Sequence, residues 1–320
     1  MRVSVAICTW NRSALLRQTL GSLVGVRVPP AVTCEILVVA NGCTDDTAEV
    51  VADAATRLPI RLVQEPRLGL SHARNAAVGA VTGDYVIWTD DDVLVDPQWI
   101  EAYCDAFATH PDAAFFGGPT RAWFATAPPR WLDRALGSVG NALSLLDYGP
   151  VAIPLDREHL PYGANFAVRT DVQRGIAYNA ELGRRGSELR SGEETAVILE
   201  IIAQGGTGWW VPGAGLQHFV SPERQTLDYL RRYYFYNGAA AQRVEAARDT
   251  PLLFGRPRWL WRVAATHWLH FLVTRPFGRP EVWAWHFRHA MTALGQLHAG
   301  APDRRRGEPT DPNENGPGVE

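Results

Sequence analysis

The stretch that decides the fold is Tyr85–Asp92, with the sequence YVIWTDDD, a short apolar run that stops at three consecutive aspartates. Its β-branched and aromatic residues predict a strand over Tyr85–Thr89. Apolar runs of similar length precede it at Val3–Cys8, Glu35–Ala40 and Ile60–Val63. Each run is bounded by polar or turn-forming residues, so all of them are predicted to be strands.

Helical patterns separate these strands. Ser13–Val24 carries leucines at a helical spacing, and Thr44–Leu58 and Ser71–Val81 follow the next two strands. Strands that alternate with helices indicate βαβ units, and hence an α/β fold with a mostly parallel, doubly wound sheet. Ligands of such sheets bind at the carboxyl ends of the strands, so the residues directly after each strand are the candidates for a site.

Composition excludes several classes of protein. The chain has 320 residues, of which 46% are hydrophobic and 20% charged, as in an ordinary globular protein. Its net charge of −3 provides no basic field for nucleic acid. It contains no lysine, which excludes a Schiff-base mechanism. We find no secretory signal and no run of 18 apolar residues, so we expect a cytoplasmic protein.

The organisation changes along the chain. We predict an α/β domain over 1–222, in which regular alternation of strands and helices over 1–96 gives way to a mixed pattern at 97–222. A helical extension at 223–300 and a disordered tail at 301–320 follow. Residues 256–297 hold five of the twelve tryptophans and six arginines, but one acidic residue. Such helices can lie in a membrane interface, or they can pack on the domain or form a dimer contact.

Acidic and polar groups follow the predicted strands. Asp90, Asp91 and Asp92 repel one another unless a cation compensates, and their oxygens suit Mg²⁺ or Mn²⁺. A solvated acidic turn is the alternative. The loops after the first two strands start at Thr9 and Asn41, and helix capping alone can explain both. Likewise, Glu193-Glu194 is consistent with a simple helix start, where acidic residues are favoured.

The order and spacing of six segments resemble those of family 2 glycosyltransferases. The segments are VSVAICTWNR, EILVVANGCTDDT, GLSHARNAAVGAVTGDYVIWTDDDV, YGANFAVR, SGEET and GLQHFVSPER. The resemblance covers about three quarters of the chain, from Val3 to Gly238. It implies a GT-A fold, a Rossmann-like domain with a mixed sheet, and transfer of a sugar from a nucleotide-diphosphate sugar with inversion. The resemblance also implies that 1–222 is a catalytic domain, with a nucleotide-binding half at 1–96 and an acceptor half at 97–222.

The resemblance assigns a role to each matching position. It implies that the nucleotide is bound by Thr9, Trp10, Asn11, Arg12, Asn41, Arg74, Asp90 and Asp91. The position before Asn41 is commonly an aspartate that contacts the base, and here it is Ala40. Asp90 and Asp92 match the outer residues of the DxD signature, with His218 as a further ligand of Mn²⁺ or Mg²⁺. Asp91 occupies the variable middle position, and we expect it to be the most dispensable of the three.

The acceptor side of the site is implied in the same way. Glu194 matches the catalytic base, with Glu193 before it, and Gly163, Ala164 and Asn165 match a loop that lines the sugar or acceptor pocket. A lone histidine such as His218 can equally be structural. The implied partners are a UDP-, GDP- or dTDP-linked sugar and a glycan, lipid-linked or small-molecule acceptor, with possible contact to the inner face of the cell membrane through 256–297.

Two other functions are consistent with the residues. One is a metal-dependent sugar-nucleotide hydrolase or nucleotidyltransferase, because these enzymes also hold metals with carboxylates on α/β sheets. The other is an inactive sugar-nucleotide-binding or scaffold protein. The glycosyltransferase hypothesis is preferred because it alone gives Glu193-Glu194 and the HFVSPER segment a function.

Overall fold

A computed structural model describes residues 1–183, 192–244 and 251–299. The chain divides into two units: Met1–Pro128 with Gly140–Gln225, and Pro129–Val139 with the residues from Thr226 onward. Helix 130–139 thus belongs to the second unit, whereas the predicted boundaries assigned it to the acceptor half. The predicted tail, 301–320, lies outside the described residues.

The first unit contains most of the strands. These are β1 (Arg2–Thr9), β2 (Thr33–Ala40), β3 (Ile60–Gln64), β4 (Tyr85–Asp90), β5 (Val93–Val95), β6 (Phe115–Gly117), β7 (Thr120–Phe124), β8 (Pro154–Leu155), β9 (Asn165–Arg169), β10 (Gly208–Trp210) and β11 (Leu216–Val220). Its helices are α1 (Ser13–Leu23), α2 (Thr47–Ala54), α3 (Leu70–Ala80), α4 (Trp99–Thr109), α6 (Thr170–Arg174) and α7 (Glu193–Ala203).

A mixed sheet of eight strands runs through the first unit in the order β3-β2-β1-β4-β9-β6-β10-β8. The first four strands of that order are parallel, whereas β9 is antiparallel to both β4 and β6. The register pairs Thr9 with Ala40 and Cys8 with Asp90, so the carboxyl ends of β1, β2 and β4 share one edge. This edge carries Thr9, Asn41 and Asp90, three of the predicted site residues, and the α/β fold class is confirmed.

Both faces of the sheet are buried. Val5 and Ile7 pack into one apolar cluster with α1, α2 and α4, whereas Ala6, Leu37 and Trp88 pack into another with α3 and α7. Successive residues of a strand point to opposite faces, so a strand covered on both sides must be apolar at every position. This requirement explains the continuous apolar runs in the sequence.

A second, three-stranded sheet has the order β5-β11-β7. Strand β5 follows the three aspartates, and β11 pairs with it so that His218 lies opposite Val93. The Phe219 amide also donates to the Asp92 carbonyl oxygen at 2.8 Å. Strand pairing therefore brings His218 to the acidic turn across more than a hundred residues of sequence.

The second unit is mainly helical. It contains α5 (Arg130–Val139), α8 (Leu227–Val244), α9 (Arg258–Thr274) and α10 (Pro280–His298), with a short hairpin of β12 (Leu252–Leu253) and β13 (Arg256–Pro257). Helix α10 packs against α5, α8 and α9. Among the described helices, none has the length and apolar character needed to cross a membrane.

Candidate active site

The turn after β4 concentrates negative charge. Asp90 is half-buried at the end of the strand, while Asp91 and Asp92 are buried in the turn itself. The Arg12 guanidinium compensates part of this charge, because Nη1 donates to Asp91 Oδ1 and to Asp92 Oδ2, both at 3.1 Å. Arg12 was predicted to contact nucleotide, and the contacts that the structure shows for it are with these carboxylates.

Asp91 differs from its two neighbours because its carboxylate is held within the fold. Thr9 Oγ1 donates to Asp91 Oδ2 at 2.7 Å, and Thr19 Oγ1 donates to its carbonyl oxygen at 2.9 Å. Burial and the charge of Asp92 raise the pKa of Asp91 to about 7, although Arg12 acts in the opposite direction. The expectation that Asp91 is the most dispensable aspartate does not fit these buried contacts.

Asp90, Asp92 and His218 form the one group of potential metal ligands that the described residues bring together, with ligand atoms within 4.8 Å of one another. His218 Nε2 lies 3.4 Å from Asp92 Oδ1 and 3.9 Å from Asp90 Oδ2. Ligands about 2.1 Å from one divalent ion lie about 3–4 Å from each other, so these residues fit a single divalent cation. The geometry favours a ligand position for His218 over a purely structural one.

Glu193 and Glu194 begin α7 but occupy different environments. Glu193 is 3% exposed, and its Oε1 lies 3.7 Å from Arg74 Nε. Burial, followed by the charge of Glu194, raises the pKa of Glu193 to about 7. Glu194 is half-buried. Ser191, the first residue of the predicted motif, lies outside the described residues.

Arg74 connects the glutamates to the pocket loop. Its guanidinium carbon lies 5.3–5.4 Å from the ring centroids of Trp88, Phe166 and Tyr178, and Nη2 donates to the Gly163 carbonyl oxygen at 3.4 Å. Burial would lower the pKa of Arg74, yet nearby charges, including Glu193, Glu194 and Asp90, raise it above its ordinary value. Arg74 is therefore a buried cation that lies beside both Glu193 and the Gly163 loop.

The predicted pocket loop lies beside Arg74 and Glu194 at its glycine. A Cβ atom added to Gly163 would lie 2.9 Å from Arg74 Nη2 and 3.3 Å from Glu194 Cδ, so the close approach requires glycine. Ala164 is buried. Asn165 is a correction to the prediction: it has no exposed surface, and its amide contacts Trp99, Tyr103, Pro119 and Ala214. Those contacts place it inside the fold rather than in a pocket wall.

The loops after β1 and β2, which were predicted to bind the nucleotide, are held by hydrogen bonds within the fold. Trp10 and Asn11 are exposed after β1, and Asn11 Oδ1 accepts from the Thr44 amide at 2.7 Å. Asn41 is buried, and its amide binds backbone atoms of Glu65, Arg67 and Gly69. A nucleotide contact by Asn41 stays a prediction, and the contacts seen here hold the loop that leads into α3.

Two contributors to the site were missed in the sequence. Thr19 on α1 is fully buried, and its hydroxyl forms hydrogen bonds with the backbone of Asp91 and Val93. Tyr178 is one of the three aromatic rings that surround the Arg74 guanidinium. Thr19 could have been found, because it is a polar residue within the apolar stripe of Leu16, Leu20 and Leu23. No local pattern marks Tyr178, since only tertiary packing brings it to Arg74.

Comparison with known proteins agrees with this fold. A family model described as "Glycosyl transferase family 2" matches residues 4–162, about half of the chain. The succinoglycan biosynthesis protein ExoM of Rhizobium meliloti (strain 1021) is 26% identical over 268 residues, which cover 82% of this chain and 80% of that protein.

Two solved structures share the fold. The mannosyltransferase PcManGT from Pyrobaculum calidifontis, in complex with GDP-Man and Mn²⁺, superimposes with a TM-score of 0.55 at 18% identity, covering 93% of this chain and 73% of that one. TarS 1-349 from S. aureus, in complex with UDP-GlcNAc, gives a TM-score of 0.53 at 16% identity, covering 87% and 74%. The chain belongs to glycosyltransferase family 2 and has a GT-A fold. It is a glycosyltransferase, as the sequence motifs predicted.

Proposed function

We propose that this protein transfers a sugar from a nucleotide-diphosphate sugar to an acceptor hydroxyl, with inversion, in the synthesis of a polysaccharide or glycoconjugate. One observation carries the proposal: Asp90, Asp92 and His218 bring their ligand atoms within 4.8 Å of one another after β4, in the same unit as the glutamates that begin α7. The names of relatives support the substrate class, since ExoM is a succinoglycan biosynthesis protein and the two solved structures contain GDP-Man and UDP-GlcNAc.

We propose that Asp90, Asp92 and His218 hold the cation. Two carboxylates suit Mg²⁺ or Mn²⁺, and the imidazole shifts the preference toward Mn²⁺. When bound, the metal would stabilise the negative charge that develops on the departing diphosphate. Arg12 orients Asp92 from the other side, because it donates to Oδ2 while His218 lies beside Oδ1. The Asp92 carboxylate is thereby held with Oδ1 toward His218, and this oxygen would be the one to bind the cation.

We propose Glu194 as the base that accepts the proton of the acceptor hydroxyl. It is half-buried and packs beside Gly163, whereas Glu193 is buried against Arg74. Burial raises the pKa of Glu193 to about 7, a value suited to proton transfer, but a base must also reach the proton, and burial withholds Glu193 from an acceptor. Glu193 therefore positions Arg74 and the start of α7, and a single carboxylate base fits displacement with inversion.

Ligand-dependent thermal stability tests the donor site. UDP, GDP, dTDP and CDP are each added to the full chain with Mn²⁺ or with EDTA. A nucleotide at a hundred times its Kd stabilises the native state by about 2.7 kcal/mol. We expect one nucleotide to raise Tm, and only with Mn²⁺. If none raises Tm in any condition, the donor-site assignment is wrong and an inactive scaffold becomes the better interpretation.

We also propose that the second unit contacts the surface of a membrane, which would place the enzyme at the inner face of the cell membrane. Phe254 is 85% exposed in the hairpin that precedes α9, and Phe277 is 94% exposed just after that helix. Trp268, Leu269 and Leu272 are exposed on α9 between them. Exposed apolar and tryptophan side chains beside arginines suit the interface of an anionic bilayer.

Flotation with vesicles tests this contact. The full chain should float with vesicles of phosphatidylglycerol and phosphatidylcholine, and the Phe254→Ser/Phe277→Ser variant should float less. Val151→Ser is the matched control, because Val151 is an exposed apolar residue of the first unit. If the double variant floats as the wild type does, or if the wild type does not float, the membrane proposal fails.

A further inference from the structure

Thr89 is a buried polar residue in a strand that is otherwise apolar up to Asp90. It is 3% exposed and follows Tyr85–Trp88 in β4. Valine has a similar shape and an equally high tendency to form strands, so the strand itself does not require the hydroxyl group. This hydroxyl donates to the carbonyl oxygen of Ala164 at 2.9 Å, directly before β9. Thr89 therefore connects the strand that ends in the acidic turn with the predicted pocket loop.

Strand pairing explains why these two segments meet. β4 and β9 are antiparallel, with Thr89 opposite Asn165, so the carboxyl end of β4 lies beside the amino end of β9. Asp90 directly follows Thr89 on one strand, and Ala164 directly precedes Asn165 on the other. The Thr89 hydroxyl thus joins the strand that leads to the cation group to the loop of Gly163 and Ala164.

The same loop lies beside the proposed base. A Cβ atom added to Gly163 would lie 3.3 Å from Cδ and 3.4 Å from Cγ of Glu194, so the loop backbone forms a wall against that side chain. A shift of the loop would therefore change the positions that the Glu194 carboxylate can occupy.

Other hydrogen bonds hold the loop less directly. Arg74 Nη2 donates to the Gly163 carbonyl oxygen at 3.4 Å, which is long for a bond of this type. The Asn165 amide donates to the Tyr162 carbonyl oxygen at 3.0 Å, a contact within the loop itself. Among these contacts, the Thr89 bond is the one that links the loop to the end of β4.

We propose that Thr89 is a positioning residue for sugar transfer, because its hydrogen bond to Ala164 fixes the loop, and with it Glu194, relative to Asp90. This inference rests on the proposed roles of Asp90 in the cation group and of Glu194 as the base. A base must be held at the correct distance from the reacting atoms, and a displacement of about 1 Å can lower a rate by about 100-fold. Loss of the hydroxyl should therefore affect the reaction step rather than nucleotide binding.

Thr89→Val and Thr89→Ser separate positioning from stability. Valine removes the hydroxyl and keeps the branched shape, whereas serine keeps the hydroxyl and loses a buried methyl group. We expect Thr89→Val to lower kcat by about 10- to 100-fold with an unchanged nucleotide Kd in Mn²⁺. Thr89→Ser should keep most of the wild-type kcat even though it lowers Tm. If Thr89 were only structural, activity would instead follow stability.

Two measurements on the full chain test this inference. Release of nucleoside diphosphate from a sugar donor of the nucleotide that thermal shift selects, with water as the acceptor, gives kcat below the lowest Tm. Hydrogen exchange needs no substrate, and the amide of Asn165 should exchange about 10-fold faster in Thr89→Val than in the wild type or in Thr89→Ser. Thr170→Val is the matched control, because Thr170 is also 3% exposed and follows the opposite end of β9. It should change neither kcat nor this exchange rate.

Three results would overturn the role of Thr89. They are a wild-type kcat in Thr89→Val, a wild-type exchange rate in that variant, and a loss of kcat in Thr89→Ser as large as that in Thr89→Val. Glu194→Gln, measured beside them, separates this inference from the proposed function. If Glu194→Gln loses transfer while Thr89→Val does not, only the inference about Thr89 fails, whereas a wild-type rate in Glu194→Gln contradicts the assigned base.

Discussion

The first unit has two acidic regions, the turn at Asp90–Asp92 and the glutamates at the start of α7. An arginine lies beside the carboxylates in each region, but the two arginines differ in their surroundings. In the turn at Asp90–Asp92, the exposed Arg12 and the hydroxyl of Thr9 hold the carboxylates. At the start of α7, the cation is Arg74, which is buried among three aromatic rings. Arg12 is therefore screened by water, whereas Arg74 acts in a medium of low polarity.

Each region combines a carboxylate held inside the fold with one that we assign to the reaction and call the available acid. Asp91 and Glu193 are the held members, and burial raises the pKa of each to about 7. Asp92 and Glu194 are the members that we assign to the cation and to the acceptor. The comparison suggests that substitution of an available acid affects the reaction, while substitution of a held acid, or of a residue that holds it, affects stability.

Glu194→Gln should give the largest effect. The amide keeps the size of the side chain but cannot accept a proton, so transfer should fall by about 10²- to 10⁴-fold. Nucleotide affinity should not change. Release of nucleoside diphosphate from the donor selected by thermal shift, in the presence of acceptor, measures the rate. Glu200→Gln, on the exposed side of α7, is the matched control and should retain wild-type activity. Near wild-type transfer by the Glu194 variant would exclude it as the base.

Asp92→Asn should abolish the metal-dependent part of nucleotide binding. The stabilisation of about 2.7 kcal/mol expected with Mn²⁺ at a hundred times Kd should disappear, because one of two carboxylate ligands is lost. In EDTA the variant and the wild type should have the same nucleotide response. Thermal shift with and without Mn²⁺ measures both. An unchanged Mn²⁺-dependent shift would remove Asp92 from the cation site.

Thr19→Val tests the support of the acidic turn. Thr19 Oγ1 donates to the Asp91 carbonyl oxygen and accepts from the Val93 amide at 3.1 Å. Valine leaves both groups buried without this partner, so the free energy of unfolding should fall by about 1–3 kcal/mol. Urea unfolding measures the loss, and Thr19→Ser should restore most of it. Thr56→Val, which removes an exposed hydroxyl, should change stability little.

Local patterns predicted the fold well. The βαβ alternation predicted the four parallel strands, because a strand buried on both faces must be apolar throughout and a covering helix must be amphipathic. The runs predicted at Val3–Cys8 and Tyr85–Thr89 correspond to β1 and β4 within about a residue at each end. The antiparallel β9 was not predicted, since the direction of a strand depends on how the chain returns to the sheet.

The site was predicted less completely than the fold. Residue identity marks the aspartates and glutamates, but it does not say which member of each group is buried. Asn165 is an example of a residue whose role the sequence alone did not reveal. Its side-chain amide could line a pocket, but in the structure it forms hydrogen bonds with four buried residues. The cage around Arg74 joins residues from β4, β9 and the segment after α6, and no local pattern in the sequence relates them.

Glu193→Gln should act through the pH dependence of stability. The folded protein holds a proton on Glu193 up to about pH 7, whereas the unfolded chain releases it near the ordinary value of 4.5. The folded state thus binds more protons between these values, and the free energy of unfolding falls as pH rises through that window. Glutamine does not titrate, so the variant should lose this part of the slope and keep the part due to Asp91. Urea unfolding at pH 5, 6, 7 and 8 measures both slopes against Glu200→Gln. Parallel curves for the wild type and Glu193→Gln would show that Glu193 is not the held member of its pair.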